Sequence, residues 1–260
     1  MIRSGLKLLL RSRSLRFVLD DRKQYAAGVL SSYVWNGHPI WYRPGSSDTE
    51  LIYTILLKRG RKGEYAIEPA ARAALGTVRT VLDIGANIGI STLYLAALFQ
   101  DAQIVAFEPV TENFSLLARN TQHLTRVQTQ PVALGEADET IEMLHSDVPS
   151  NLGGYSRVAT GSDRQRTVRV AMRAARRQCE ELGIHAADVV KIDVEGSEWE
   201  VLNDLGSSFL SRCKFIIGEL HGRRDFEVLN LLSEHFDFSV RKNLGDRCFM
   251  FQALNRALVA

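Results

Sequence analysis

Short apolar runs recur along the chain, and most of them end at a glycine, a proline or an acidic residue. The runs lie at 81–84, 104–108, 127–134, 189–194 and 214–220. Segments with helical spacing separate them, at 90–99, 113–121, 197–205 and 224–235. Apolar strands without polar alternation are typical of a parallel sheet that is covered on both faces. The alternation of strands and helices therefore predicts an α/β fold.

Two hairpins flank this pattern. Asn36-Gly37, a strong two-residue turn signal, separates strand-like residues at 29–35 and 40–42. Near the other end, 236–241 and 248–253 are separated by the turn residues 243–246, which predicts one antiparallel strand at the edge of the sheet. Residues 48–75 read as helical, with a break near 60–63. Strands at 140–144 and 167–171 are expected to pair across a polar loop, 146–166.

The run from Val81 to Thr92 predicts a strand, a tight turn and the start of a helix. Gly85 and Gly89 allow a sharp turn and the close approach of a ligand. Ser91 lies near the helix N-terminus, where free amides point outward. Asn87 stands where a dinucleotide fingerprint has its second glycine, and its bulk disfavours a pyrophosphate. We therefore expect a smaller, phosphate-free group, with an amine that Asp83 can meet.

Glu108 follows the second strand, as does the acid that holds ribose hydroxyls in nucleotide-binding folds. Pro109 ends that strand. A surface acid at a strand end is the simpler interpretation of Glu108 alone. Its combination with the glycine turn favours a nucleoside site.

Three motifs together resemble the FkbM family of S-adenosylmethionine-dependent methyltransferases. They are DIGANIG at 83–89, FEP at 107–109 and KIDVEGSE at 191–198, of which the last is the most specific. GELH at 218–221, NLG at 151–153, and Asp48 with Glu64-Tyr65 are also similar to family features. The resemblance covers roughly residues 30 to 253.

The resemblance implies a class I methyltransferase sheet, which is Rossmann-like and carries a terminal antiparallel hairpin strand, with an N-terminal hairpin and helix extension. It implies S-adenosylmethionine as the cofactor and hydroxyl acceptors in natural products and glycans. The expected cofactor contacts are Asp83, Gly85, Asn87, Gly89, Ser91 and Glu108. Ala133 joins them because the turn after the third strand lies against the adenine in this fold.

Asp193, Glu219 and His221 lie at the ends of two neighbouring strands, so we expect them to converge beside the methyl donor. His221 is the natural proton acceptor, because its ordinary pKa lies near neutrality. Glu219 could orient the imidazole, and Asp193 could hold the donor or the acceptor. The same three residues could instead ligate a divalent cation, although we assign no metal. Glu195 and Glu198 are expected at the start of the next helix, where Glu198 suits the helix dipole.

Charge and composition argue against several other classes of protein. The formal net charge of +2 gives no field directed at nucleic acid, and no segment is long and apolar enough to span a bilayer. Three cysteines without metal-ligand spacing suggest reduced thiols in a cytoplasmic protein. The basic N-terminus could touch an anionic membrane surface. We expect it instead to pack on the domain or to fray.

We expect one domain over 1–260, with a basic segment (1–28), a lead-in segment (29–75) and a cofactor-binding core (76–260). The leading hypothesis is O-methylation of a small-molecule natural product or a saccharide. The alternatives are a nicotinamide-dependent oxidoreductase, which Asn87 and the terminal hairpin disfavour, and a non-catalytic binding module. The acceptor walls are expected from 48–65 and 146–166, and the oligomeric state is left open.

Overall fold

The computed structural model describes residues 5–58, 63–146, 155–156, 165–222, 224–242 and 249–258. The first half contains α1 (Gly5–Ser12), α2 (Leu15–Asp21), β1 (Ser31–Trp35), β2 (His38–Tyr42), α3 (Asp48–Leu51), a π-helical segment (Ile52–Leu57), α4 (Pro69–Ala74), β3 (Thr80–Ile84), α5 (Ile90–Leu98), β4 (Gln103–Phe107), α6 (Thr111–Thr121) and β5 (Val127–Gln130). The second half contains β6 (Ala133–Gly135), β7 (Glu139–Ser146), β8 (Tyr155–Ser156), β9 (Gln165–Ala174), α7 (Ala175–Glu181), β10 (Val189–Ile192), α8 (Glu198–Leu205), α9 (Ser207–Leu210), β11 (Phe215–Leu220), α10 (Asp225–Ser233), β12 (Phe236–Lys242) and β13 (Phe249–Asn255).

A seven-stranded sheet forms the core, in the order β12-β13-β11-β10-β3-β4-β5. The pairs β10–β11, β10–β3, β3–β4 and β4–β5 are parallel. β13 runs antiparallel to both β11 and β12. All four residues of β10 are buried, as the continuous apolar run predicts for a strand covered on both faces. The doubly wound sheet and its terminal antiparallel hairpin strand are thus confirmed.

The N-terminal hairpin is also confirmed, with Trp35 paired to His38 across Asn36-Gly37. Both turn residues have positive φ, 48° and 83°, as a type I′ turn requires. The basic segment packs on the fold through Leu8 and Phe17, each 1% exposed. Among the described residues, every helix is too short or too polar to cross a membrane.

The helical prediction for 48–75 is only partly correct. α3 runs into the π-helical segment, and Lys58 then turns to an extended conformation. Residues 63–68 form turns and irregular backbone before α4 begins at Pro69. A tertiary contact explains the difference, since Tyr65 is 3% exposed and its hydroxyl donates to Asp193 at 2.7 Å. Burial of this side chain overrides the local helical spacing.

The predicted third strand is divided. β5 ends at Gln130 because Pro131 has no amide for the ladder. The chain then joins a second sheet of order β6-β9-β7-β8. In that sheet Thr140 pairs with Ala171 and Leu144 with Thr167, so the expected pairing of 140–144 with 167–171 is confirmed.

Some sequence predictions lie outside the described residues. They are the NLG motif at 151–153, most of the 146–166 loop, the 243–246 turn and Cys248. Cys179 and Cys213 are free and buried, and burial raises the pKa of each thiol to about 12. Both therefore stay protonated and behave as small apolar side chains.

Candidate active site

A cavity of about 250 Å³ opens at the carboxyl ends of the central strands. Its wall comes from three parts of the chain. The lead-in segment contributes Ser47, Leu51, Ile55, Glu64 and Tyr65. The second sheet contributes Ala133, Ile141, Met143 and Met172. The strand ends and the loops that follow them contribute Gly85, Asn87, Ser91, Glu108, Asp193, Glu195 and Glu219. Ligands of doubly wound sheets bind at this edge.

The glycine turn supplies one end of the cavity. Gly85 has φ +80°, and a Cβ placed there would lie 1.9 Å from the carbonyl oxygen of Asp193. Only glycine lets the ends of β3 and β10 approach this closely. Asn87 follows with φ 51°, so its backbone amide donates to Glu108 Oε2 at 2.9 Å. Its side-chain Oδ1 is buried and accepts no hydrogen bond from the described residues. The turn beside the cavity thus holds a buried polar atom without a hydrogen-bond partner among the described residues.

Glu108 is held rigidly at the cavity wall. Oε2 accepts from Asn87, and Oε1 accepts from the Val110 amide at 2.9 Å. Burial raises the pKa of Glu108 to about 7, although both hydrogen bonds favour the ionised form. Each carboxylate oxygen has a second lone pair. The group can therefore accept from a ligand's hydroxyls without losing its own partners.

Two of the predicted cofactor residues do not reach the cavity. Asp83 is fully buried, and its Oδ2 accepts from Ser91 Oγ at 2.8 Å and Thr92 Oγ1 at 2.6 Å. Asp83 does not line the cavity, so its contact with the ligand's amine stays a prediction. Gly89 caps α5 with φ +90°, and a Cβ there would meet Leu117 instead of the cavity. Gly85, Asn87, Ser91, Glu108 and Ala133 do line it.

Lys191 is a site residue for which the sequence analysis assigned no role. It is 1% exposed, and its Nζ lies 3.3 Å from Asp83 Oδ1 and donates to the Gly85 carbonyl at 2.6 Å. Burial opposes its charge, but the carboxylates of Asp83 and Asp193 raise the pKa of Lys191 above its usual value. The ammonium therefore ties β10 to the glycine turn. The sequence could have indicated this role, because a lysine inside the otherwise apolar run 189–192 is buried only when it is paired.

Asp193, Glu219 and His221 converge as predicted. Nε2 of His221 lies 3.6 Å from Asp193 Oδ1 and 3.6 Å from Glu219 Oε2. Glu195 Oε2 is also 3.6 Å from Nε2. The three carboxylates line the cavity, whereas His221 lies behind them and is absent from the wall.

Glu198 holds the imidazole from its Nδ1 side. Nδ1 of His221 lies 2.9 Å from Glu198 Oε1, an oxygen that also accepts the amides of Val194 and Gly196. Glu198 is 1% exposed and begins α8. It therefore both satisfies the loop before the helix and fixes the ring, a role that local spacing could not indicate.

The lead-in segment contributes Tyr65 and Glu64 to the cavity wall near Asp193. Tyr65 donates to Asp193 Oδ2, which leaves Oδ1 directed towards His221. Beside it, burial raises the pKa of Glu64 to about 7. Both residues were noted as a family feature in the sequence analysis. Their position on the cavity wall depends on the hydrogen bond between Tyr65 and Asp193, which are 128 positions apart in the sequence.

The fold and this cavity define a class I methyltransferase: a doubly wound sheet, a terminal antiparallel strand and a nucleoside-type site at the carboxyl ends of its strands. The chain belongs to the FkbM methyltransferase family, because the Methyltransferase FkbM domain matches residues 83–248. The resemblance seen in the motifs is thereby confirmed.

Three curated relatives show how far the similarity extends. "Methyltransferase 1" of Beauveria bassiana is 27% identical over 179 residues, which are 62% of this chain and 72% of that protein. The hexuronic acid methyltransferase AglP of Haloferax volcanii is 29% identical over 154 residues, 58% of this chain and 60% of that protein. The AMB antimetabolite synthetase AmbE of Pseudomonas aeruginosa is 26% identical over 205 residues, 63% of this chain but only 10% of that protein.

Proposed function

We propose that the chain transfers the methyl group of S-adenosylmethionine to a hydroxyl oxygen of a small-molecule natural product or a saccharide. One observation carries the proposal. A single cavity joins a nucleoside-type half, formed by the glycine turn and Glu108, to an acidic half, formed by Asp193 and Glu219. The first half suits the donor and the second suits a hydroxyl that must lose a proton.

The chemistry of the wall fits this donor. Ala133, Ile141, Met143 and Met172 offer an apolar surface for a purine ring. Glu108 offers acceptor lone pairs for the two ribose hydroxyls. Asn87 Oδ1 is a buried acceptor without a hydrogen-bond donor among the described residues. The carboxylates of Asp193, Glu195 and Glu219 favour a positively charged ligand. When bound, the cofactor supplies an electrophilic methyl group on a positively charged sulfur.

The protein's own task is to position the acceptor and remove its proton. Asp193 and Glu219 accept a hydrogen bond from the acceptor hydroxyl at the cavity wall. The hydroxyl gives its proton to the carboxylate that accepts its hydrogen bond, and His221 then takes the proton from that carboxylate at Nε2, which lies behind the wall at 3.6 Å from one oxygen of each carboxylate. Glu198 holds the ring through Nδ1 and stabilises the imidazolium that forms.

The polar part of the wall supports a hydroxylated acceptor. Ser47, Glu64, Ser197 and Glu200 offer hydrogen-bonding groups on that side. Groups of this kind recognise hydroxyls with high selectivity, because an unmatched buried polar group is costly. A relative that acts on a hexuronic acid adds support for a saccharide.

A second chemical route uses a divalent cation. Ligand atoms of Asp193, Glu219 and His221 all lie within 4.8 Å of one another. An ion held there would lower the pKa of a bound hydroxyl without a protein base. The two routes differ in their response to a chelator.

The proposal is tested by incubating the protein with S-adenosylmethionine and a panel of hexuronic acids, neutral sugars and hydroxylated natural products. The readout is S-adenosylhomocysteine formed in the presence of acceptor. With the best acceptor, His221→Ala should lower kcat by roughly 10² to 10⁴ and leave cofactor affinity nearly unchanged. The control is His235→Ala, which removes a half-exposed histidine at the end of α10.

Addition of a chelator distinguishes proton removal by the protein from activation of the hydroxyl by a divalent cation. Activity that survives EDTA and falls in the His221 variant supports the protein base. Activity that EDTA abolishes and Mg²⁺ or Mn²⁺ restores supports the cation. Absence of methyl transfer to every acceptor, in a protein that binds the cofactor, would favour a non-catalytic module and contradict the proposal.

A further inference from the structure

The two N-terminal helices present an apolar outer surface that the fold does not use. On their inner side Leu8, Phe17 and Val18 are buried. On their outer side Leu6 and Leu10 of α1 are 67% and 68% exposed. Leu15 and Leu19 of α2 are 63% and 55% exposed. Each pair is four residues apart, so each forms a stripe along one face of its helix.

The same surface is strongly basic. Lys7, Arg13, Arg16, Arg22 and Lys23 are all exposed. The two carboxylates of the segment are turned towards the fold. Asp20 is fully buried and accepts from Tyr42 at 2.7 Å, and Asp21 accepts from Thr49 at 2.8 Å. Asp20 also pairs with Lys23 at 2.6 Å and with Arg16 at 3.9 Å, so it offsets part of this positive charge. Residues 5–23 contain six cations (the five above and Arg11) and two carboxylates, hence +4, whereas the whole chain carries +2.

From this combination we propose that α1 and α2 dock on the surface of an anionic lipid bilayer. Leucine stripes flanked by lysine and arginine are the chemistry by which a helix lies in the headgroup region, with its apolar side inserted. A protein partner suits the surface less well. Protein interfaces are rich in aromatic side chains, whereas the exposed residues of α1 and α2 are leucines, Lys7 and Arg16.

The helices that carry the docking surface are joined to one wall of the active-site cavity. Arg11 of α1 donates to the Leu57 carbonyl at 3.1 Å, at the end of the π-helical segment. That segment and α3 supply Leu51 and Ile55 to the cavity wall. Docking of α1 and α2 would therefore fix the orientation of this wall relative to the bilayer.

The proposal is tested by co-sedimentation of the whole protein with vesicles. One set is phosphatidylcholine alone, and the other contains about one-third phosphatidylglycerol. The protein should bind the anionic vesicles, and binding should weaken as salt rises from about 0.1 M to about 0.5 M. Leu10→Gln with Leu19→Gln, and separately Lys7→Gln with Arg16→Gln, should each weaken binding by about tenfold or more.

A matched control is Phe226→Gln on α10, which removes an 87% exposed apolar side chain elsewhere and should leave vesicle binding unchanged. Near-ultraviolet circular dichroism and S-adenosylmethionine affinity check that each variant is folded. Failure to bind either kind of vesicle would overturn the proposal. So would undiminished binding by the leucine variant, or sedimentation velocity showing that the same variant separates a dimer into monomers, which would assign the surface to a second copy.

Discussion

At the residue scale, two opposing effects set the pKa of Glu108. Burial favours the protonated carboxyl, whereas the amides of Asn87 and Val110 favour the carboxylate. The net result is a pKa of about 7, well above that of an ordinary glutamate. Because the pKa is raised, the carboxyl is mostly neutral below pH 7 and mostly ionised above it. Only the ionised form accepts hydrogen bonds on both oxygens without donating one.

Cofactor binding should therefore depend on pH through Glu108, beside Glu64 and Glu195 of the same wall, whose pKa values burial also raises to about 7. Ionisation of Glu108 should raise S-adenosylmethionine affinity about tenfold between pH 6 and pH 8, since each unit below the pKa removes about 1.4 kcal/mol. Glu108→Gln should lose about 2 kcal/mol of binding at pH 8, together with this tenfold part of the pH dependence. Isothermal titration calorimetry measures both.

The exposed Glu112→Gln on α6 is the matched control and should bind as the wild type does. NAD⁺ should give no binding heat, because Asn87 crowds a pyrophosphate. Wild-type affinity in Glu108→Gln, or tight NAD⁺ binding, would contradict the assignment of the site.

At the element scale, the turn between β3 and α5 is constrained by what lies behind each glycine. At Gly85 a Cβ would overlap the backbone oxygen of Asp193, so a strand end must move. At Gly89 it would meet the end of the Leu117 side chain at 2.9 Å, which can shift. Gly85→Val should therefore disrupt the fold, because the new atoms overlap the backbone at the end of the adjacent strand.

Three alanine variants should distinguish the cost of a positive φ in a non-glycine residue from the cost of steric overlap with a neighbour. Gly76→Ala is the control, since Gly76 has φ +56° and open space around it, and should cost about 1 kcal/mol in unfolding free energy. Gly89→Ala should cost about 1–2 kcal/mol, and Gly85→Ala about 3 kcal/mol or more. Urea denaturation gives the order. Equal losses for Gly85→Ala and Gly76→Ala would refute the backbone overlap.

Some elements can be predicted from the sequence because their signals are local. Strand-like runs locate the pair 140–144 and 167–171, and apolar runs locate β3, β4, β10 and β11. Pro131 could have indicated the end of β5. The irregular 63–68 segment could not be predicted, since a contact between Tyr65 and Asp193 overrides its spacing. Within the site, the Lys191–Asp83 and His221–Glu198 pairs depend on tertiary geometry, so the motifs identify the residues but not their partners.

At the scale of the whole molecule, the N-terminal segments share their core with the central sheet. Leu8, Phe17 and Tyr42 belong to the same buried cluster as Val81 and Ile104. Polar contacts reinforce the join. Arg43 forms a buried ion pair with Asp48 at 2.8 Å and also donates to Asn113 of α6 at 2.9 Å. We propose that residues 1–260 form a single domain that unfolds as one unit.

The three tryptophans allow a direct test, because Trp35 and Trp41 lie in the hairpin and Trp199 lies on α8. In Trp199→Phe, fluorescence reports the hairpin alone, whereas far-ultraviolet circular dichroism reports the whole fold. Urea transitions measured by the two methods should coincide within error. A hairpin transition at lower urea concentration would show a separate folding unit and contradict the single domain.

The division of the cavity wall among three distant parts of the chain has a consequence for how such enzymes diversify. Ser47, Leu51, Ile55, Glu64 and Tyr65 come from one stretch of the sequence, while Glu108 and the glycine turn lie at the strand ends. Under the proposed function, part of the acceptor side of the cavity is thus encoded apart from the donor side. Selection or a protein engineer could then change that stretch to alter the acceptor while keeping the glycine turn and Glu108 constant.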